Sequence, residues 1–134
     1  MKSYLLIVLV ILFCSCKQSA IKQSFSSADS LVIHFKDEQA GVVTKTVQTA
    51  ESKAINRMID FIDAKGTEQF NCGYDGKMFF YNKGQKIQEV DFKMKNDSCN
   101  HFFFLLNENR MSTKMSGEAV DFLNALEQGM PIYY

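Results

Sequence analysis

Charge of one sign is what this sequence most plainly lacks. Fifteen acidic and fifteen basic residues cancel to a net charge of zero. That removes the basic footprint of a nucleic-acid binder or of a protein held on an anionic surface. Long apolar runs are missing too: the longest, Tyr4 to Phe13, has ten residues, whereas a bilayer-spanning helix needs about 20. There are two histidines and no C-x-x-C, H-x-x-x-H or clustered-carboxylate spacing, so the pattern assigns no metal ligands. No G-x-S-x-G elbow is present, and neither histidine has the neighbourhood of a triad. Gly73-Tyr74-Asp75-Gly76 reads as a hairpin turn, not as a phosphate cradle opening a helix. Asp60 and Asp63 fall on the solvent side of a helix, where paired carboxylates usually serve only solvation. An enzyme is therefore not expected, nor a cofactor. No internal repeat or low-complexity segment appears.

What is present begins with a leader. Lys2 supplies a positive flank, and the ten-residue apolar run has the length of a signal-peptide core. Phe13-Cys14-Ser15-Cys16 follows, then the polar Lys17-Gln18-Ser19. A small residue directly before a cysteine, at the end of such a run, resembles the lipobox of bacterial lipoproteins. The resemblance covers residues 1–16 alone. It implies cleavage after Ser15 and acylation of Cys16; Cys14 is disfavoured because bulky Phe13 would sit at the cut. An ordinary signal peptide is the alternative reading of the same run. Each buried CH₂ contributes about 0.8 kcal/mol, so two or more acyl chains hold a protein to a lipid bilayer durably. Lys17 in place of an aspartate implies, by the same resemblance, the outer membrane facing the periplasm. Loss of Lys2 leaves fourteen basic against fifteen acidic residues, a net charge of −1.

The expected organisation is a signal peptide over 1–15, a lipidated Cys16 with a flexible tether over 16–29, and a single domain over 30–134. The serine-rich tether would reach about 20 Å on average and roughly 40 Å when extended. Residues 31–35 and 42–48 alternate as two strands of a hairpin. The period then lengthens: Ile55, Met58, Ile59 and Ile62 form one stripe of a helix over 51–65, capped by Thr49 or Ser52 and closed by Lys65 and Gly66.

Residues 70–106 hold most of the aromatic side chains and read as four strands. Glycines at 76 and 84 each stand third in a three-residue loop. Those loops pair Cys72 with Met78, Phe70 with Phe80, Phe79 with Ile87 and Lys77 with Glu89. Phe70, Cys72, Met78, Phe80, Val90, Phe92 and Met94 then share a core face. Residues 101–106 are apolar on both faces, which leaves their register open. A two-residue loop after them turns Phe102, Phe104 and Leu106 inward with Met111 and Met115; a three-residue loop turns Phe103 and Leu105 inward with Cys99. A last strand spans 110–114. Ser116 caps a final helix with a stripe of Ala119, Phe122, Leu123 and Leu126, ended by Gly129 and Pro131. The fold class is α+β: a curved antiparallel sheet in the order ββα-βββββ-α with two helices on one face.

Cys72 and Cys99 are the expected disulfide of an exported chain. A flat meander would set them about 14 Å apart, beyond the roughly 7 Å that a disulfide spans. A metal- or redox-binding role for Cys72, Cys99 and His101, joined by His34, is the rival use. The opposite face of the sheet offers a candidate binding surface of Phe79, Tyr81 and Ile87 with Lys77 and Glu89, and Lys93 on its rim. The N-terminal hairpin or the tail Ile132-Tyr133-Tyr134 would cover it if it is not a partner site. The resemblance and this surface together imply an envelope lipoprotein that binds a protein partner, like inhibitor or immunity proteins in architecture. A structural lipoprotein of an envelope complex is the alternative. No oligomeric state is read from the sequence.

Overall fold

Alternation explains the first strand. In β1 (Ser30–Lys36), Leu31, Ile33 and Phe35 are buried while Val32, His34 and Lys36 are half-buried. The structure, a computed structural model, describes residues 18–132. The leader, Cys16 and the two C-terminal tyrosines lie outside the described residues. The remaining strands are β2 (Val43–Thr49), β3 (Gly76–Asn82), β4 (Gln85–Lys93), β5 (His101–Leu106) and β6 (Asn109–Lys114). They form one open antiparallel sheet in the order β2-β1-β3-β4-β5-β6. Helices α1 (Ala20–Phe25), α2 (Ser52–Ile62) and α3 (Gly117–Gln128) share the core with the inner face of the sheet. The α+β class is as expected; the strand and helix counts are not.

The tether gives way first. Ser19 caps α1 through its hydroxyl, which accepts from the Lys22 N–H at 3.0 Å. Phe25 is wholly buried, edge-on to Phe80 at 4.8 Å and to Phe104 at 5.8 Å. Phe25 docks this segment together with Ile21 and Ala28, which pack against the same core; burying a phenylalanine contributes about 2 kcal/mol of that. Residues from Ser19 onward thus belong to the folded domain.

Four strands follow α2, not five. Residues 70–72 form no strand, and the place beside β3 goes to β1, with Ile33 opposite Met78 and Leu31 opposite Phe80. The two candidates are equally apolar, so alternation cannot choose between them. Between β3 and β4 the turn is Lys83-Gly84, with φ of 49° and 79°, a two-residue hairpin loop. Alone it would turn every β4 side chain over. A bulge at Ile87 adds one residue and restores the faces. Phe79 therefore lies opposite Glu89, and Lys77 opposite Asp91, each two residues from the expected pairing. The expected core residues Met78, Phe80, Val90 and Phe92 are all buried.

The open register of residues 101–106 resolves to the two-residue loop. Asn107 and Glu108 adopt φ of 50° and 67°, Leu106 pairs with Asn109, and Phe102 and Phe104 turn into the core. Helix α2 stops at Ile62, where its stripe ends and before the expected closure at Lys65 and Gly66, and there the Thr113 hydroxyl donates to the Ile62 carbonyl at 2.7 Å. Helix α3 starts and ends as read, with Ser116 accepting from the Ala119 N–H and Gly129 left-handed.

Gly76 is where the chain enters the sheet centre, and a side chain there would overlap the Phe92 ring and the His34 carbonyl. Gly76→Ala is expected to lower stability by about 1–3 kcal/mol, checked by urea denaturation. An unchanged midpoint would mean that Phe92 has room to move.

Candidate binding surface

After α2 the chain rounds the β6 edge. Gly66 bridges to Thr113, Thr67 N–H donates to the Ser112 carbonyl at 2.9 Å, and Lys114 N–H to the Lys65 carbonyl at 2.8 Å. Residues 67–75 then cross the outer face as a strap. Phe70 sits edge-on to His101 at 5.3 Å, and Tyr74 lies 5.7 Å from His101 and 6.3 Å from Phe103. This strap, not the N-terminal hairpin, covers part of the outer face, and it buries His101 completely.

The strap also removes the geometric objection to the disulfide. Cys72 lies above the sheet, so no strand spacings separate it from Cys99, which precedes β5. The two are bonded, with Cα atoms 6.3 Å apart. They offer no free thiolates for a metal or redox role, and His101 Nδ1 is engaged with the Cys99 carbonyl at 2.6 Å. Among the described residues, no three His, Cys, Asp or Glu side chains are grouped to hold a metal ion.

At the strap's end stands Asp75, 1 % exposed. Its carboxylate accepts from the N–H groups of Met94 (2.8 Å) and Lys95 (2.9 Å) and from the Lys93 ammonium (3.2 Å). Lys93 also donates to Glu38 at 2.6 Å. Lys93 was expected on a solvated rim; the strap buries it to 3 % exposure. Burial pulls its pKa down, but the hydrogen bonds to Glu38 and Asp75 outweigh that and hold it above the ordinary lysine value.

Beyond the strap the outer face is open. Lys77, Phe79, Tyr81 and Glu89 are brought together there as expected. Phe79 packs edge-on against His34 at 5.2 Å, with the Lys86 ammonium 5.7 Å from its ring. Lys77 reaches Glu89 at 2.5 Å and Asp91 at 3.5 Å, and Lys86 reaches Glu89 at 2.7 Å. Ile87 is the exception: displaced by the bulge, it packs half-buried against the core cluster.

Two carboxylates on this face are pushed in opposite directions. Hydrogen bonds from Lys77 and Lys86 lower the Glu89 pKa. Burial raises that of Asp91 despite the nearby Lys77. Burial also raises the Tyr74 phenol, with Asp91 adding to the effect. Glu89 is thus engaged by two lysines, while for Asp91 burial outweighs the opposing pull of Lys77 and the more distant Lys36.

Asp91 opens onto a groove that strand-by-strand reading did not anticipate. The β4–β5 ladder covers Val90–Lys93 only, and past it the two strands part, spanned by Gln88 Nε2 donating to the Leu105 carbonyl at 3.1 Å. The resulting cleft holds about 350 Å³ between Lys86, Ile87, Glu89 and Asp91 on one side and Phe103 and Leu105 on the other. Leu105 is 52 % exposed. The double-sided apolarity of residues 101–106 was its sequence signal, legible only once their register was known.

No protein-family model, curated protein or solved structure matches the chain.

Proposed function

We propose that this chain is an envelope lipoprotein, anchored through acylated Cys16, whose domain works by binding a protein through the β4–β5 groove. The leader supports the anchor and the outer-membrane, periplasm-facing location. The observation that carries the binding reading is the groove itself. An exposed leucine and a phenylalanine line one wall, and the opposite rim presents Asp91, a carboxylate reached by Lys77 at 3.5 Å and disfavoured in its charged form by burial. Exposed apolar surface ringed by charge is typical of partner sites. The fitting partner presents an apolar side chain for the cleft and a lysine or arginine beside it for Asp91. Such a contact suits an inhibitor or immunity role, in which a small tethered domain blocks another protein.

With α1 starting at Ala20, the leash from Cys16 to the domain is at most a few residues, roughly 10–15 Å. The partner is accordingly one that comes close to the bilayer. The test is capture from envelope extract with the full chain and with Leu105→Asp and Asp91→Asn. Leu105→Asp is expected to lose the partner by tenfold or more, and Asp91→Asn to weaken it less. Recovery of the same proteins by all three would exclude the groove.

A further inference from the structure

We propose that the β4–β5 groove takes its partner as an extended peptide, slotted between the two strands and hydrogen-bonded to both. This rests on the groove being the partner site, and it names the form of what enters. The ladder of β4 and β5 ends where Val90 faces Phe104. One step further, Glu89 would face Leu105. Leu106 and Asn109 flank a two-residue loop, so their backbone groups point at each other. Those of Leu105 therefore point toward β4, and a continued ladder would send the Glu89 N–H to the Leu105 carbonyl.

One side chain interrupts that bond. The Glu89 N–H donates to Gln88 Oε1 across a long 3.4 Å, and Gln88 Nε2 donates to the Leu105 carbonyl at 3.1 Å. The Gln88 amide thus stands where a peptide unit of an intervening strand would stand. Its oxygen accepts from one wall and its nitrogen donates to the other. A strand in mid-sheet uses every peptide group in that way, carbonyl to one neighbour and N–H to the other. The slot is therefore already spaced and polarised for a peptide group, and a side chain holds the place.

Such a placeholder leaves by rotation about its own bonds, and an incoming peptide unit remakes both hydrogen bonds. That exchange of one amide for another is nearly neutral, so affinity comes from the peptide's side chains. Residues i and i+2 of an extended peptide share a face. On the outer face, an apolar residue of such a pair meets Leu105 and Phe103, and a lysine or arginine meets Asp91. Beyond the ladder β5 contributes only Leu105 and Leu106, so about three peptide residues lie inside, at about 3.3 Å each. This is recognition by strand addition, within a sheet and not at its rim.

The probe is a pool of pentapeptides with valine or leucine second, lysine or arginine fourth, and any residue elsewhere. A second pool carries the same side chains on an N-methylated backbone, which cannot donate. On the immobilised full chain in detergent, the first pool is expected to be enriched over the second by about tenfold or more, the worth of two hydrogen bonds. Gln88→Ala should capture the first pool at least as well as the wild type, because the peptide supplies the bonds that Gln88 gave. The two-pool comparison in the wild type stands whatever that substitution does to folding. Equal enrichment of both pools would overturn the proposal. So would enrichment of neither, as when a second copy fills the slot, or a tenfold loss in a folded Gln88→Ala. If Leu105→Asp loses the envelope partner while both pools are enriched equally, the groove remains the partner site and only the strand mode falls.

Discussion

Asp75→Ala is expected to cost the domain about 3–5 kcal/mol, the largest effect of any single substitution considered. Removing the carboxylate strands the Met94 N–H, which is buried, and the Lys95 N–H, which is partly so. Each unsatisfied buried donor costs about 1–3 kcal/mol. It also leaves the Lys93 ammonium, 3 % exposed, with Glu38 as its remaining carboxylate, itself 48 % exposed. Breaking a buried pair from one side typically costs about 3–5 kcal/mol because the surviving charge stays buried. Domains of this size are stable by only about 5–15 kcal/mol in total. Urea denaturation should rank Asp75→Ala worst, Asp75→Asn second because an amide oxygen still accepts, and Glu38→Gln least, under about 1 kcal/mol for an exposed partner. A loss below about 1 kcal/mol for Asp75→Ala would remove the aspartate from its role as anchor of the strap. The pH dependence has a definite sign. The Lys93 pKa is raised on folding, so its contribution is complete at neutral pH. It fades as pH climbs past the ordinary lysine value of 10.5.

Loss of the disulfide is expected to cost about 3.5 kcal/mol. Cys72 and Cys99 are 27 positions apart, and closing a loop of that size restricts the unfolded chain by about that much. The effect should be local as well as global, because the bond pins the middle of the strap while Asp75 pins its end. In Cys72→Ala with Cys99→Ala, Phe70 and Tyr74 should lift from His101, while the helices and β1–β3 stay paired. Thermal unfolding gives the energy, and chemical modification of His101, shielded in the native protein, reports the strap. A melting point unchanged by the double substitution would show that side-chain packing alone holds the strap. Unchanged protection of His101 in a destabilised variant would show that the strap's outer-face contacts survive without the bond.

Much of the fold was legible because it depends on neighbours in sequence. The stripe of Ile55, Met58, Ile59 and Ile62 requires a helix, Ser116 and Gly129 bound the last one, and alternation fixes which residues of β3 and β4 face inward. Even the misjudged β3–β4 loop left those faces intact, since its error was two residues and side chains alternate with period two. The outer-face grouping of Lys77, Phe79, Tyr81 and Glu89 survives for the same reason. Ile87 does not, because a bulge is decided by how two strands meet, and neither strand carries its signature alone.

By itself, then, the sequence determined the α+β class, the stripes of α2 and α3, and the inward and outward sides of the central strands. Tertiary structure decided which strand lies beside which. Alternation assigns a side chain to a face but says nothing about the strand across the ladder, so β1 and residues 70–72 competed for β3 on equal terms. Residues 70–72, displaced from the sheet, became the strap, and from the strap follow the buried Lys93, the covered His101 and the approach of Cys72 to Cys99. The groove at Leu105 is likewise tertiary. It exists because β4 and β5 part after four paired positions, a separation that no local pattern encodes.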